Sequence, residues 1–169
     1  MRTYTCLLRA VNVGGTGKLP MAELRALCEA AGFRDVRTYI ASGNVVLRSG
    51  STARQVQVTL EASLAEYAGK PVGVLVRTPA EMSAVLDANP FPDAAHNRTM
   101  VIFLDKPPPP EALQTVRGQA GEELALGKRE IYVHYPDGMG NSKLQIPAAK
   151  AGTARNINTV AKLVEMGGM

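Results

Sequence analysis

Val36-Arg37-Thr38-Tyr39-Ile40-Ala41-Ser42-Gly43-Asn44-Val45-Val46-Leu47-Arg48 is the stretch that decides the fold. Val36 to Ala41 and Val45 to Arg48 are strand-like runs, and Ser42-Gly43-Asn44 separates them. Glycine takes positive φ without a steric penalty, so Gly43-Asn44 predicts a two-residue hairpin turn. A helical pattern lies on each side of this hairpin. Upstream, Met21, Leu24, Leu27, Cys28 and Ala31 recur at helical spacing behind Pro20, which sets φ for a first helical position. Gly32 stops that helix, and Phe33 is placed to pack back on it. Downstream, Ser51 or Thr52 can cap a helix with Val56, Leu60, Ser63, Leu64 and Tyr67 on one face, closed by Gly69. The apolar run Tyr4 to Val13, ending at Gly14-Gly15, and the run Val72 to Arg77 supply the outer strands. The order strand-helix-strand-strand-helix-strand is the split βαβ or ferredoxin-like plan, an antiparallel sheet with both helices on one face.

The rest of the chain repeats that order in part. Thr78-Pro79-Ala80-Glu81 is a capping box, followed by Met82, Val85 and Leu86 on one helical face, and Asn89-Pro90-Phe91-Pro92 ends this helix. Met100 to Leu104 is strand-like, Pro107 to Pro110 is stiff polyproline, and a helix is expected from Glu111. Leu124 to Leu126 and Ile131 to Tyr135 can pair across Gly127-Lys128. After a glycine-rich loop, Thr153 is the expected cap of a last helix carrying Ile157, Val160, Ala161 and Val164 inward. The expected fold class is therefore α+β: two linked ferredoxin-like (βαββαβ-type) halves with mainly antiparallel sheets. Residues 1–78 form the first half. Residues 79–169 form a second, incomplete half without its last strand, the two packed as one compact unit. No sequence repeat joins the halves, so the duplication rests on element order.

Composition sets the class of protein. The 169 residues are 46% hydrophobic and 20% charged, which fits a globular chain and not a disordered one. Apolar runs such as Met100 to Leu104 are strand-length and too short to cross a bilayer, so no membrane partner is expected. The start, Met1-Arg2-Thr3-Tyr4-Thr5-Cys6, lacks the apolar core of a secretory signal, and a cytoplasmic location is the expectation. Cys6 and Cys28 cannot form a disulfide framework, and with His96 and His134 as the only histidines they make a poor metal site. They read as small buried hydrophobes. Neither a metal nor a cofactor is expected, and the oligomeric state is not legible.

The charge is uneven. Residues 1–78 carry ten Lys/Arg against five Asp/Glu, and residues 79–169 carry nine against ten. Two stretches have no acidic residue: Met1 to Ala22, with Arg2, Arg9 and Lys18, and Gly138 to Val164, with Lys143, Lys150, Arg155 and Lys162. Brought together, they would face an anionic partner; apart, they only keep the protein soluble.

The loop Asn12-Val13-Gly14-Gly15-Thr16-Gly17-Lys18 sits between a strand and a helix, where backbone N–H groups can cradle an anion. A Walker A loop needs glycine at Asn12 and Ser/Thr at Leu19, so magnesium–nucleotide chemistry of that type does not fit. Three glycines also suit a tight loop with no ligand. Thr153-Ala154-Arg155-Asn156, read as a helix start, offers a positive dipole end and a forked donor in Arg155. That terminus is expected to lie near the Asn12–Lys18 loop in one shared anion site. No GxSxG elbow, paired-histidine metal spacing or RNA-recognition aromatic signature occurs.

Leu7-Leu8-Arg9-Ala10-Val11-Asn12-Val13-Gly14-Gly15, Met21-Ala22-Glu23-Leu24-Arg25, Gly32-Phe33, Thr38-Tyr39-Ile40 and Ser42-Gly43-Asn44-Val45-Val46 resemble the opening signature of the domain-of-unknown-function 1697 family. Thr153 to Leu163 is similar to that family's closing motif, with Ile157 where the family commonly has tryptophan and Ala10 where it usually has glycine. The resemblance implies an α+β fold related to a duplicated ferredoxin-like arrangement. It implies no activity.

Three functional readings follow. The first is a binding module for an anionic ligand, either a nucleic acid or a small phosphorylated molecule. Its candidate ligand-binding residues are Arg9, Asn12, Gly14, Gly15, Lys18, Asn44, Lys143, Arg155, Asn156 and Asn158. The second is a metal-independent phosphate or acyl-phosphate hydrolase in which Arg155 or Arg9 binds phosphate and Asn44 orients a water. The third is a structural or partner-binding protein in which these residues are caps and turns. No catalytic residue is assigned, and whether the chain is an enzyme stays open.

Overall fold

The computed structural model describes residues 1–9, 19–39, 43–93 and 98–168. It divides into two units, Met1–Met82 with Leu163–Met169, and Ser83–Lys162.

The first unit holds β1 (Arg2–Leu8), α1 (Met21–Ala30), β2 (Arg34–Tyr39), β3 (Asn44–Ser49), α2 (Ala53–Ala68) and β4 (Val74–Arg77). The four strands form one antiparallel sheet in the order β2-β3-β1-β4, the ferredoxin-like order predicted by the hairpin and its flanking helices. Strand alternation sends Tyr4, Cys6, Leu8, Val45, Leu47, Val74 and Val76 to one face, where they meet Leu24 and Cys28 of α1 and Val56, Leu60 and Leu64 of α2. Both helices therefore lie on that face. Each of the three fully buried α2 side chains contributes about 1.5–3 kcal/mol by leaving water, more than a helix cap does. Tyr67, expected on the same stripe, is 46% exposed.

Local signals fix the helix ends. Thr52 Oγ1 accepts from the Gln55 amide while Gln55 Oε1 accepts from the Thr52 amide, a reciprocal capping box. Gly32 takes φ +94°, and the Gly32 and Phe33 amides donate to Glu29 and Cys28 carbonyls, closing α1 with Phe33 folded into the core. Pro20 differs from expectation: its ψ of 142° makes it the residue before the helix, not the first one in it.

The hairpin also differs from the prediction. Tyr39 pairs with Asn44, which puts Asn44 in β3 and not in the turn; residues 40–42 lie outside the described residues. Gly43 does supply the positive φ, at +83°.

The second unit holds the rest of the elements: most of α3 (Pro79–Asp87), then β5 (Thr99–Phe103), β6 (Glu123–Leu126), β7 (Glu130–His134), β8 (Thr153–Asn156) and the start of α4 (Ile157–Gly167). Its sheet is antiparallel in the order β6-β7-β5-β8, with the same strand succession as the first. The sequence reading of this half needs three corrections. Thr153 to Asn156 is the fourth strand, not a helix start; its partners in β5 run from Phe103↔Thr153 to Met100↔Asn156. The cap of α4 is Asn156, whose Oδ1 accepts from the Thr159 amide at 2.9 Å. The helix expected from Glu111 is a single 3-10 turn, Ala112–Thr115.

In place of sheet-covering helices, the connection between β7 and β8 folds back. Its Leu144, Ile146, Ala148 and Ala149 pack against Ile102, Leu104, Ile131, Val133 and Tyr135. On the other face, the buried Tyr132 hydroxyl donates to the Val85 carbonyl of α3 at 2.7 Å. The inward stripe of α4 is Ile157, Val160 and Leu163, with Ala161 exposed.

Candidate functional site

The end of the first sheet is built where β1 runs out. The Leu8 amide donates to Gly43 O at 2.9 Å on one side, and the Arg9 amide donates to Gly73 O at 2.9 Å on the other. The β2–β3 turn and the α2–β4 loop therefore flank the chain at the point where β1 leads into residues 10–18. The half-buried Arg9 lays its side chain over Gly73: a Cβ at residue 73 would come within 3.0 Å of Arg9 Cδ and 3.5 Å of Nη1. The bare glycine backbone is what lets the guanidinium stem rest there.

Asn44 lies at the same end but faces inward. It is fully buried, and its Nδ2 donates to Tyr39 O at 2.9 Å, tying the hairpin closed. Asn12, Gly14, Gly15 and Lys18 fall outside the described residues. The rest of the predicted set belongs to the second unit or its helix. Lys143 lines a cleft beside Glu122 and Tyr135. Arg155 is only 5% exposed on β8, and its Nη1 donates to Thr153 Oγ1 at 2.7 Å and Ala154 O at 3.0 Å. Burial lowers the Arg155 guanidinium pKa to about 10. Asn156 caps α4, and Asn158 is exposed in its first turn. Thr153 to Asn156 is extended, so the N-terminus of α4 begins only at the Asn156 cap, and Arg155 is not the exposed fork the sequence suggested. The expected partner of that terminus, residues 12–18, is undescribed.

Sequence reasoning passed over several polar groups. Arg77, at the end of the apolar run Val74-Leu75-Val76, is 1% exposed on β4, with Nη1 3.3 Å from Val76 O. The signal was a lone cation closing a buried strand. Arg37 Nη2 donates to Met166 O at 2.9 Å, capping the last turn of α4. Glu122 accepts from Ser142 Oγ and the Ala120 amide. The Ser142 bond above all, then the Ala120 amide and its own, holds the Glu122 carboxyl below its ordinary value.

Cys6 and Cys28 are buried in the first unit's core, and desolvation, with Glu29 adding to it, pushes the Cys28 thiol up to about 12. Among the described residues, no group of three or more His, Cys, Asp or Glu could hold a metal ion. No described helix is long and apolar enough to cross a membrane.

No curated protein matches the chain. Among solved structures, the conserved bacterial protein SP0830 from Streptococcus pneumoniae is similar, with a TM-score of 0.82 and 24% identity over 100% of this chain and 99% of that one. This likeness concerns the fold. The family model described as "Protein of unknown function (DUF1697)" matches residues 1–132, which span β1 through most of β7. The chain belongs to the DUF1697 family of proteins of unknown function.

Proposed function

We propose that the chain is a binding module for an anionic ligand, a nucleic acid or a small phosphorylated molecule, held where β1 leaves the first sheet. The observation that carries this is the placement of Arg9. Its guanidinium stem lies across Gly73, on the strand whose other neighbour is the Gly43 turn, and it leads directly into the acid-free loop Asn12 to Lys18. An arginine and glycine-rich backbone at one end of a sheet can offer forked and N–H donors to phosphate oxygens. Lys18, Gly14 and Gly15 are assigned to the same ligand as part of this proposal.

Binding is favoured over hydrolysis by Asn44. A water-orienting amide must reach the ligand, whereas the Asn44 side chain is buried and donates to Tyr39 O. Arg155 is likewise left out of the proposed site, since it is buried on β8. The cytoplasmic location expected from the sequence accords with this reading and remains part of it.

The test is a titration of wild type and Arg9→Ala with inorganic pyrophosphate and with a labelled single-stranded oligonucleotide, each at several salt concentrations. A nucleic-acid ligand gives a steep fall in affinity with salt, and a small-phosphate pocket a shallow one. Arg9→Ala weakens whichever ligand binds by about tenfold, the equivalent of about 1.4 kcal/mol. Binding of neither probe by wild type overturns the proposal, as does equal binding by the variant.

A further inference from the structure

The second unit carries a cleft of about 270 Å³ that has no part in the proposal above. It forms where two connections are clipped together. Arg117 and Gln145 exchange amide–carbonyl bonds at 2.9 and 2.7 Å. Gly118, at φ +70°, passes so near Lys143 that a Cβ there would sit 2.2 Å from the Lys143 carbonyl oxygen. Glu122 then draws in Ser142 and Ala120 from either side. The walls are thus set by backbone and by one buried carboxylate.

We propose that this cleft binds a small organic cation bearing a primary ammonium group. Glu122, 6% exposed, is an acceptor-only floor; its carboxylate has about four lone-pair sites, and the Ser142 hydroxyl, the Ala120 amide and its own amide occupy three, which leaves about one for a ligand. Asp137 lines the same cleft, against Lys143 as the one cationic residue among those lining it, so the local charge disfavours an anion.

Tyr135 is the independent observation. Its ring packs in the second unit's core at 8% exposure, it lines the cleft, and its hydroxyl makes no hydrogen bond to any described residue. The phenol lies close enough to Glu122 to feel its charge. An ammonium group has three donors and no acceptor, which matches a carboxylate, a phenol oxygen and a second carboxylate. The volume admits a ligand of only a few heavy atoms beyond that group, being just under the usual range for small-molecule sites.

The probe is n-butylammonium, with n-butanol and butyrate as neutral and anionic controls, followed by amide NMR of the full chain. Butylammonium should shift the Gly118, Ala120 and Ser142 signals saturably, while the two controls leave them in place. Glu122→Gln should weaken this by about tenfold or more, one decade corresponding to about 1.4 kcal/mol. Because Glu122 also ties the two connections, Asp137→Asn and Lys143→Ala keep the test open if that variant fails to fold. The first should weaken the probe and the second should tighten it, each severalfold. No saturable shift with butylammonium, an equal response to butyrate, or unchanged affinity in both of these variants would overturn the assignment.

Discussion

Gly152→Ala is the substitution that most sharply probes the fourth strand of the second sheet. Gly152 immediately precedes β8, and an added Cβ would stand 2.6 Å from Phe103 O, 2.8 Å from Leu104 Cδ2 and 2.9 Å from Ile102 Cγ2. The nearest obstacle is backbone, so no rotamer change removes it. Restoring an ordinary 3.4 Å contact requires a displacement of 0.8 Å (3.4 less 2.6) at the point where Thr153 pairs with Phe103. Such overpacking destabilises by about 1–3 kcal/mol, against which the stiffer unfolded chain returns about 0.4–1 kcal/mol. The expected net loss is about 1–2 kcal/mol, or roughly 2–8 °C in melting temperature for a chain of this length. Gly50→Ala is the control: nothing lies within 4 Å of its added Cβ, and its φ is outside the left-handed region, so stability should hold or rise slightly. Urea titrations and thermal melts of both variants decide the matter. If Gly152→Ala is as benign as Gly50→Ala, residues 152–156 do not run against β5 as described.

Two further predictions concern buried polar groups. Arg155→Ala removes donors to Thr153 Oγ1 and Ala154 O and leaves space within β8, so it should destabilise by about 2 kcal/mol or more; a melt unchanged from wild type would show that the side chain is not buried there. Glu122 has a folded pKa below its ordinary 4.5, so its contribution is present above the unfolded value and fades as pH falls through the folded one. Glu122→Gln should therefore lower stability at neutral pH and flatten the acid limb of the stability curve, and an acid limb of unchanged slope would contradict the Ser142 and Ala120 bonds.

The parts of the fold that were legible rest on local chemistry. Thr52 with Gln55, Gly32 before Phe33, and Gly69 at φ +71° carry their meaning within five residues, so α1 and α2 ended where their signals stand. Thr153-Ala154-Arg155-Asn156 was misread for the same reason. Those residue types suit a helix start, and one of them, Asn156, does cap α4. What makes the segment a strand is pairing with β5, about fifty residues earlier, and no local propensity reports a partner at that distance. The helix expected after Pro110 shrank to one turn because only Ala112 is buried there, leaving no apolar stripe to hold a longer one.

The site was legible in the same partial way. Arg9 stood out as a cation at the end of an apolar strand, but the approach of Gly43 and Gly73 to either side of it depends on tertiary pairing. Asn44 looked like a free turn residue until the ladder placed it in β3, opposite the carbonyl it binds. Glu122 and Tyr135 meet at the open end of the β6–β7 ladder, just past its Glu123↔His134 pair, and what the sequence did not signal is the arrival of Ser142 and Lys143 beside them when the connection after β7 folds back.

The central claim, that an anion binds where β1 leaves the first sheet, is tested most directly by amide NMR during a pyrophosphate titration of the full chain. The expected result is a saturable set of shifts led by Arg9, Gly43 and Gly73, the backbone groups that meet at that end of the sheet, and lost in Arg9→Ala. Shifts confined to other residues, or none that saturate, would contradict it.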